Sequence, residues 1–497
     1  MSIYDSIHET LSKKGINTVT GNMYDMMELW KSWYRGNVND FHYYNVTLAD
    51  GTVSNCERLT MNMPKKVAED FAKLLWSEKV QISLDSDKKT KRLWEVLDNK
   101  KNNFSIMFPQ IIEKGFALGT SVLVEYIDNG ETRIDYIDGD MVIPYEYTNG
   151  YISGMITMSQ FCEGTGSKKA YYTHLTYHEF KKITKDNVEK TMYIKLNELY
   201  KSKDSNSLGK EVSFEEKYPN VKNPLEYETD TPHFQIIRPN IVNNFDMSSP
   251  LGLSIYANSI DKFKSIDTKY DSFNNEFELG KKRILVDRTA IKQAVEVDAS
   301  GNVSNVSYFD RNDKAYVAIN GMEKQQVKEI DFTLRYEEHI RSINADLNYL
   351  SASVGLGQNY YEFDGQAVKT ATEVVSENSD TYRTKNNHQI VIKDVLYDLI
   401  KSILFLEGMS SKEIKIEFDD SIIEDENTKK EKAQVKVEKG LMSKYTYLTK
   451  YEGMTETEAK IEMQRIQEEN KIIMPEGIDF MGMDSKQNNK SKVTEEK

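Results

Sequence analysis

A chain of 497 residues is too long for one small core, so about two to four modules are expected, and 39% hydrophobic with 29% charged residues suits globular ones. A formal net charge of -14 excludes a protein that holds nucleic acid by neutralising phosphates, though not one that DNA passes without sticking. Cys56 and Cys162 lie far apart and give no disulfide framework or zinc-ligand pair, leaving two inert thiols or one buried bridge.

Met1 to Gly15 has neither an apolar core nor a basic start, so no signal peptide is expected. No apolar run approaches the ~20 residues of a membrane span. The first 245 residues are expected to form a mixed α/β body. Met23 to Trp33 is helical and rich in aromatics. Pro64 to Trp76 predicts a helix with proline in the first turn, where a missing N–H costs least, and Val67, Phe71, Leu74 and Leu75 on its buried face. A helix from about Asn103 to Leu118 ends at Gly119, a C-cap. Strands Ser121 to Ile127 and Thr132 to Ile137 flank Asp128-Asn129-Gly130, a hairpin turn. Tyr151 to Ser159 and Tyr171 to Lys195 alternate as strands do, with Glu163 to Lys169 as a loop between them. Lys201 to Thr231 is polar and without apolar periodicity, which predicts a long surface excursion before the apolar run Phe234 to Arg238.

Two helical stripes follow. Tyr256, Ile260, Phe263, Ile266, Tyr270, Phe273 and Phe277 are spaced by three or four, as are Tyr336, Ile340, Ile343, Leu347, Leu350 and Val354. Each stripe predicts a helix roughly 30 Å long at 1.5 Å per residue. Each has one apolar side, so each needs a neighbour from its own chain or from another copy. Between them, Arg283 to Ile330 is β-rich and must lie at the far tip of the two helices. Its strand candidates are Ile284 to Val286, Val295 to Val297, Val303 to Phe309 and Ala315 to Ile319, with turns at Asp298 to Asn302 and Asn320-Gly321.

After Val354, Gly355-Leu356-Gly357 predicts a flexible hinge, continued by Gln358 to Lys369. A third helix opens on Thr370-Ala371-Thr372-Glu373, a capping-box pattern. Its first half, Ser376 to Gln389, is polar apart from Tyr382, and its second, Ile390 to Leu406, is apolar. Such a helix is expected to cross from solvent into a core, with a bend. A strand at Glu413 to Phe418 and charged helices at about Asp425 to Lys439 and Thr455 to Lys471 follow, and the polar tail from Met481 is expected to be disordered.

Catalytic chemistry has little to stand on. There is no G-x-x-x-x-G-K-[ST], and Gly355-x-Gly357 lacks a third glycine and a preceding strand. Asp135, Asp138 and Asp140 allow a metal site, but their spacing matches no EF-hand and Asp-Gly is ordinary turn chemistry. His174 and His178 are at i, i+4 in a strand pattern, which does not bring them together, and neither H-E-x-x-H nor G-x-S-x-G occurs. Lys281, Lys282, Arg283 and Arg288 form a basic cluster, either a solvated helix end or a contact for nucleic acid or an acidic partner. Tyr360, Tyr361 and Phe363 are either ordinary loop contacts or, in a ring, a collar.

The order of parts, with Arg58-Leu59-Thr60-Met61-Asn62-Met63-Pro64-Lys65-Lys66, Ser249-Pro250-Leu251-Gly252 and Thr370-Ala371-Thr372-Glu373-Val374-Val375-Ser376, resembles the portal proteins of tailed double-stranded DNA bacteriophages, of the siphophage type found on Gram-positive hosts. The resemblance covers most of residues 20 to 470. It implies an α+β portal fold: wing 1–245, stem helix 246–280, clip 281–330, second stem helix 331–354, tunnel loop 355–369, long wing helix and strand 370–424, crown 425–475, and a disordered tail 476–497. It implies a ring, a dodecamer in the virion, at one capsid vertex, assembled in the host cytoplasm. DNA would pass through it during packaging and ejection; terminase, a head-completion or adaptor protein, and the major capsid and scaffolding proteins would bind it, with no membrane, cofactor, metal or catalytic residue. The two stripes would then be stem contacts between subunits, and Asp287, Arg288, Asn302 and Asn320 would be clip docking positions. Gly355, Gly357, Gln358, Asn359, Tyr360, Tyr361, Phe363, Asp364, Gln366 and Lys369 would face the channel. An acidic balance suits a conduit, since duplex DNA carries a charge every ~1.7 Å and a basic bore would grip it. The alternatives are another head–tail connector or capsid-vertex protein, and a metal-dependent hydrolase built on the Asp135 cluster.

Overall fold

The computed structural model describes residues 3–19, 21–47, 50–76, 80–185, 188–280, 283–287, 293–297, 303–307, 316–319, 327–330, 333–363, 371–418 and 426–473. Two compact units result, Met1–Asp419 and Asp420–Lys497. Among the described residues no helix is long and apolar enough to cross a membrane.

The first unit opens with helices α1 (Ile3–Lys13) and α2 (Asn22–Tyr34), hairpin β1 (Tyr43–Thr47) and β2 (Val53–Glu57), and α3 (Met63–Leu75). Strand β3 (Gln81–Leu84), α4 (Asp87–Leu97) and α5 (Phe104–Leu118) follow. Pro64 does stand in the first turn of α3, and the helix buries Val67, Phe71 and Leu75. Gly119 caps α5 in the left-handed region at φ +84.

The next nine strands make two of the sheets among the described residues. Strands β4 (Ser121–Asp128) and β5 (Glu131–Asp138) form the expected hairpin. Next come β6 (Val142–Thr148), β7 (Tyr151–Glu163), β8 (Ala170–Lys185), β9 (Val188–Ser202), β10 (Lys210–Val212), the short helix α6 (Phe214–Lys217), β11 (Leu225–Glu228) and β12 (Phe234–Ile237). One sheet runs β10-β9-β8-β7-β6 with β11 also on β9; the other runs β12-β4-β5. The polar stretch from Lys201 to Thr231 is therefore not a plain excursion. It returns twice to β9, and periodicity missed it because β10 and β11 are short, largely solvent-facing edge strands.

Helix α7 (Ile260–Leu279) leads into the insert, whose strands are β13 (Arg283–Asp287), β14 (Gln293–Val297), β15 (Val303–Ser307), β16 (Tyr316–Ile319) and β17 (Val327–Ile330). The sheet β16-β13-β17 contains a strand, β17, that sequence patterning did not give; β14 and β15 pair as a hairpin. Helix α8 (Tyr336–Ser353) runs back, then α9 (Ala371–Leu406) and β18 (Ile414–Glu417), which pairs antiparallel with β3. A single large core joins Trp30, Trp33, Phe71, Phe116, Ile266, Ile343, Leu347 and the apolar half of α9, where Ile392, Leu396, Leu399, Ile400 and Ile403 are fully buried. At about 1.5–3 kcal/mol for each buried aliphatic side chain, these five anchor α9.

The second unit holds α10 (Glu426–Glu438), α11 (Lys444–Lys450) and α12 (Glu456–Ile473). Thr455 and Glu458 close a reciprocal capping box at α12: the Thr455 amide donates to Glu458 at 2.9 Å and the Glu458 amide to Thr455 Oγ1 at 3.4 Å. The short α11 is capped by Ser443, whose Oγ accepts from the Thr446 amide at 3.1 Å, and its length left little period to detect. The tail expected to be disordered lies outside the described residues.

One backbone contact ties α5 to the segment ahead of α7. A Cβ on Gly252 would stand 2.1 Å from the Gly119 carbonyl oxygen, and one on Gly119 would stand 2.5 Å from that of Gly252. Thr120 Oγ1 accepts from the Gly252 amide at 3.0 Å, Arg238 donates to the Pro250 carbonyl at 2.6 Å, and the Ile255 amide donates to Phe116 at 2.9 Å. Neither backbone can yield. Gly252→Ala is expected to lower the denaturation midpoint by an amount worth about 2–3 kcal/mol, read by chemical unfolding, whereas Gly51→Ala, with nothing within 4 Å of its Cβ, loses only the cost of its positive φ, about 1 kcal/mol.

Candidate functional site

The site centres on the α7–α8 hairpin and the loop after it. Helix α7 begins at Ile260, not near Ser254: Tyr256 precedes a short 3-10 turn at Ala257–Ser259, which preserved the apparent spacing. Tyr256 is fully buried, donates its hydroxyl to the Trp30 carbonyl at 3.1 Å and meets Phe263 edge-on.

Both stripes are largely occupied inside one chain. Phe263, Ile266, Ile343, Leu347, Leu350 and Val354 are buried in the core, and Ile260 and Phe273 pack against it. Tyr270 and Ile340 are half-buried. Only Phe277 and Tyr336, at the insert end, are substantially exposed, at 44% and 52%. Ser265 donates to Asp346 at 2.5 Å, and Lys269 pairs with the same carboxylate at 2.7 Å, joining the two helices on their polar side.

Within the buried face of α7 lies a carboxylate that no apolar pattern singled out. Asp267 Oδ1 accepts from the Met61 amide at 2.9 Å, and Oδ2 accepts from Thr60 Oγ1 at 2.8 Å and from His42 Nε2 at 3.1 Å. The Val38 amide donates to His42 Nδ1 at 3.0 Å, so the ring proton is on Nε2 and the neutral imidazole suffices. One turn on, Asp271 accepts from the Leu59 amide at 3.1 Å. The stretch Arg58 to Met61 is thus a strap fastened to α7. Its presence in a family-like motif was the one sequence signal for it.

Residues 355–363 are not a free hinge. Gly355 has φ +82, its carbonyl accepts from Thr384, and a Cβ there would stand 2.9 Å from Thr384 Oγ1. The Gly357 amide donates to Thr381 at 3.0 Å, Tyr361 to Ser351 at 3.1 Å and Phe363 to Asn344 at 2.7 Å. Phe363 packs against Tyr270 and Phe273, and Tyr361 is buried while Gln358 and Tyr360 are exposed. Asn359 takes φ +60. The expectation of mobility is corrected for these residues, and so is the view of the polar half of α9 as solvent-facing. Thr381, Lys385 and His388 are buried: Thr381 receives the Gly357 amide of the loop, and His388 accepts from the Asn240 amide at 3.0 Å. Burial between Phe71 and Phe116 pushes His388 down to about 4. Asp364, Gln366, Lys369 and Thr370 lie outside the described residues.

At the insert end, Arg335 clasps Glu276 with its amide at 3.3 Å, Nε at 3.1 Å and Nη2 at 2.8 Å, holding that carboxyl down to about 2. Asp287 ends β13. Arg288, Asn302, Asn320, Lys281 and Lys282 lie outside the described residues.

Residues 21–476 match the family described as "Phage portal protein, SPP1 Gp6-like", a span that contains the strap, the hairpin and the pinned loop. The chain belongs to this family. It is a structural family, not an enzymatic one. No curated protein compared with this portal-family chain is a match. Among solved structures it is similar to a chain of "Virion of native gene transfer agent (GTA) particle", at 10% identity and TM-score 0.39, covering 79% of this chain and 88% of that one. It is likewise similar to chains of "Neck of empty GTA particle computed with C6 symmetry" (10%, TM-score 0.40, 79% and 89%) and "Neck of native GTA particle computed with C12 symmetry" (10%, TM-score 0.38, 78% and 88%).

In the portal-family chain the three carboxylates Asp135, Asp138 and Asp140 have separate partners. Asp135 accepts from Tyr126 at 3.1 Å, Asp138 pairs with Lys114 at 2.9 Å, and Asp140 pairs with Lys31. His174 and His178 share one face of β8 and one cavity, about 13 Å apart along the strand.

A buried polar cluster of four side chains joins the sheet to α9 of the portal-family chain. Ser402 donates to Glu125 Oε2 at 2.9 Å, His233 Nδ1 lies 2.7 Å from Ser402 Oγ and so donates to it, and Gln235 reaches Glu125 at 3.4 Å. Burial pushes the Glu125 carboxyl up to about 8 and holds His233 at about 4. Sequence reading missed this cluster, because Glu125, the His233–Gln235 pair and Ser402 are far apart in the chain.

Proposed function

We propose that the chain is the portal of a tailed bacteriophage, of siphophage type with a Gram-positive host, forming a ring, a dodecamer in the virion, at one capsid vertex. The family match across 21–476, which includes a helical hairpin with a β-rich insert at its tip, carries this reading. In it, residues 1–245 are the wing, α7 and α8 the stem, 281–330 the clip, 355–369 the channel-facing segment, and 425–475 the crown. The ring is assembled in the host cytoplasm and passes DNA inward during packaging and outward during ejection. Its clip, through Asp287, Arg288, Asn302 and Asn320, receives terminase and later a head-completion protein; scaffolding and major capsid proteins surround the wing. Because the upper stripes are engaged within the chain, lateral contact between stems falls to Phe277 and Tyr336 and to the outward polar faces.

Native mass spectrometry tests the reading. The wild-type chain is expected to give closed rings, and the pair Phe277→Asp with Tyr336→Asp, which disturbs only exposed sites, is expected to stay folded and yield mostly monomer. A wild-type chain that never forms rings would overturn the portal assignment. Normal rings from the double variant would instead remove these two side chains from the subunit contact.

A further inference from the structure

A cavity of about 660 Å³ opens between β4 and β5 on one side and β7, β8 and β9 on the other, with Phe214, Tyr218 and Leu225 completing its wall. Its size lies within the ~300–1,000 Å³ of small-molecule sites, and its lining combines apolar surface with a few polar groups, as such sites do.

Three carboxylates, Asp128, Asp135 and Asp138, and three ammonium groups, Lys114, Lys195 and Lys222, line it, but they are not all paired with one another. Asp138 is paired with Lys114 at 2.9 Å, Asp128 lies 3.8 Å from Arg133, and one Asp135 oxygen is taken by the Tyr126 hydroxyl at 3.1 Å. Lys195 is different. Its ammonium lies 4.7 Å from the Tyr126 ring centroid, and among the described residues it has no hydrogen-bond acceptor and no carboxylate in ion-pair contact. An ammonium drawn out of bulk water is costly unless something replaces its hydration, and one aromatic face replaces only part of it. Burial lowers the Lys195 pKa, with Asp135 opposing, and the Lys195 charge in turn helps to keep His174 and His178 neutral. The cavity therefore presents, among the described residues, a partly buried ammonium with no carboxylate in contact, Lys195, a second, exposed one at Lys222, neutral polar groups and an aromatic wall.

We propose that this cavity binds a small organic anion, an aromatic or aliphatic body bearing one carboxylate or phosphate. Lys195 holds the charge, and Phe214, Tyr218 and Leu225 hold the body. Asp135 limits the site to a single anionic group on the Lys195 side. The site does not depend on the portal reading, since the cavity belongs to the body sheets of one chain.

The test uses the full-length protein. It is titrated calorimetrically with benzoate, with phenyl phosphate and with neutral benzyl alcohol. One of the two anions is expected to bind saturably and benzyl alcohol far more weakly; whichever anion is preferred identifies the head group. Lys195→Met, close in length and free of the buried charge, is expected to bind about tenfold or more weakly, the loss of one charge-assisted hydrogen bond. Lys190→Met, which removes an ion pair with Glu228 away from the cavity, is expected to bind as wild type does. In the wild-type protein the bound anion is expected to shield Lys195, and not Lys190, from acylation by acetic anhydride, read by peptide mass spectrometry. That measurement decides the matter even if Lys195→Met fails to fold. No saturable anion binding, equal binding of benzyl alcohol, unchanged binding by a folded Lys195→Met or unshielded Lys195 would each overturn the proposal.

Discussion

Asp267→Ala is expected to destabilise the first unit by about 3–5 kcal/mol, because it strands the Met61 amide, the Thr60 hydroxyl and the His42 ring N–H in a buried place. The loss is concentrated where the strap meets α7. Hydrogen exchange should accelerate at the Leu59 and Met61 amides and along the first turns of α7, with little change in the second unit. Asp267→Asn makes the sharper comparison, since it keeps one oxygen but turns an amide group toward at least one donor. It should fall between wild type and alanine in a chemical-denaturation series. An alanine variant as stable as wild type would mean that the strap is held by apolar contacts alone.

The second large effect depends on pH. Glu125 has a folded-state pKa of about 8, raised from 4.5 mainly by burial, with the Asp398 charge adding to it. This is the reverse of the usual carboxylate case. Between pH 4.5 and 8 the folded chain keeps a proton that the unfolded chain has released, so stability falls as pH rises through that window and levels off above it. The swing from this group is about 4–5 kcal/mol at 1.36 kcal/mol per pKa unit. His233, held near 4 in the fold against 6.5 unfolded, works in the opposite direction between pH 4 and 6.5, where the unfolded chain binds the imidazole proton. It offsets part of the fall there but cancels when a Glu125 variant is compared with wild type. Glu125→Gln mimics the protonated acid, accepting from Ser402 and Gln235, and has no proton to lose. The stability difference between variant and wild type should therefore be small near pH 5, grow in favour of glutamine up to pH 8, and then stay flat. Unfolding curves measured in parallel across that range check it; a difference independent of pH would show that Glu125 titrates normally.

These two sites mark what a linear pattern can and cannot convey. The stripes were legible because three-or-four spacing is a local property, and the hairpin at Asn129-Gly130 and the cap at Gly119 are equally local. Asp267 was invisible for the same reason: a carboxylate inside an apolar face breaks the pattern that defines the face, and its partners lie more than 200 residues earlier. The polar half of α9 looked solvent-facing because Thr381 and Thr384 are hydrophilic, yet their hydroxyls serve the backbone of a loop that reaches them from outside the helix. Gly119 and Gly252 were each read correctly as punctuation or motif, but their mutual contact is tertiary. The order of parts, read from local patterns, carried the family resemblance; the physical reasons for its motifs came only from the neighbours that folding brings to them.

The clasp between Arg335 and Glu276 has an evolutionary consequence. It fixes the entry and exit of the insert side by side, so whatever lies between is, to the body, a closed loop with tethered ends. Doubling the length of such a loop costs only about 0.6 kcal/mol of closure entropy. Mutation can therefore enlarge, trim or replace the tip without renegotiating the core beneath it. A lineage carrying this hairpin can change what it meets at that end without altering the scaffold that holds it.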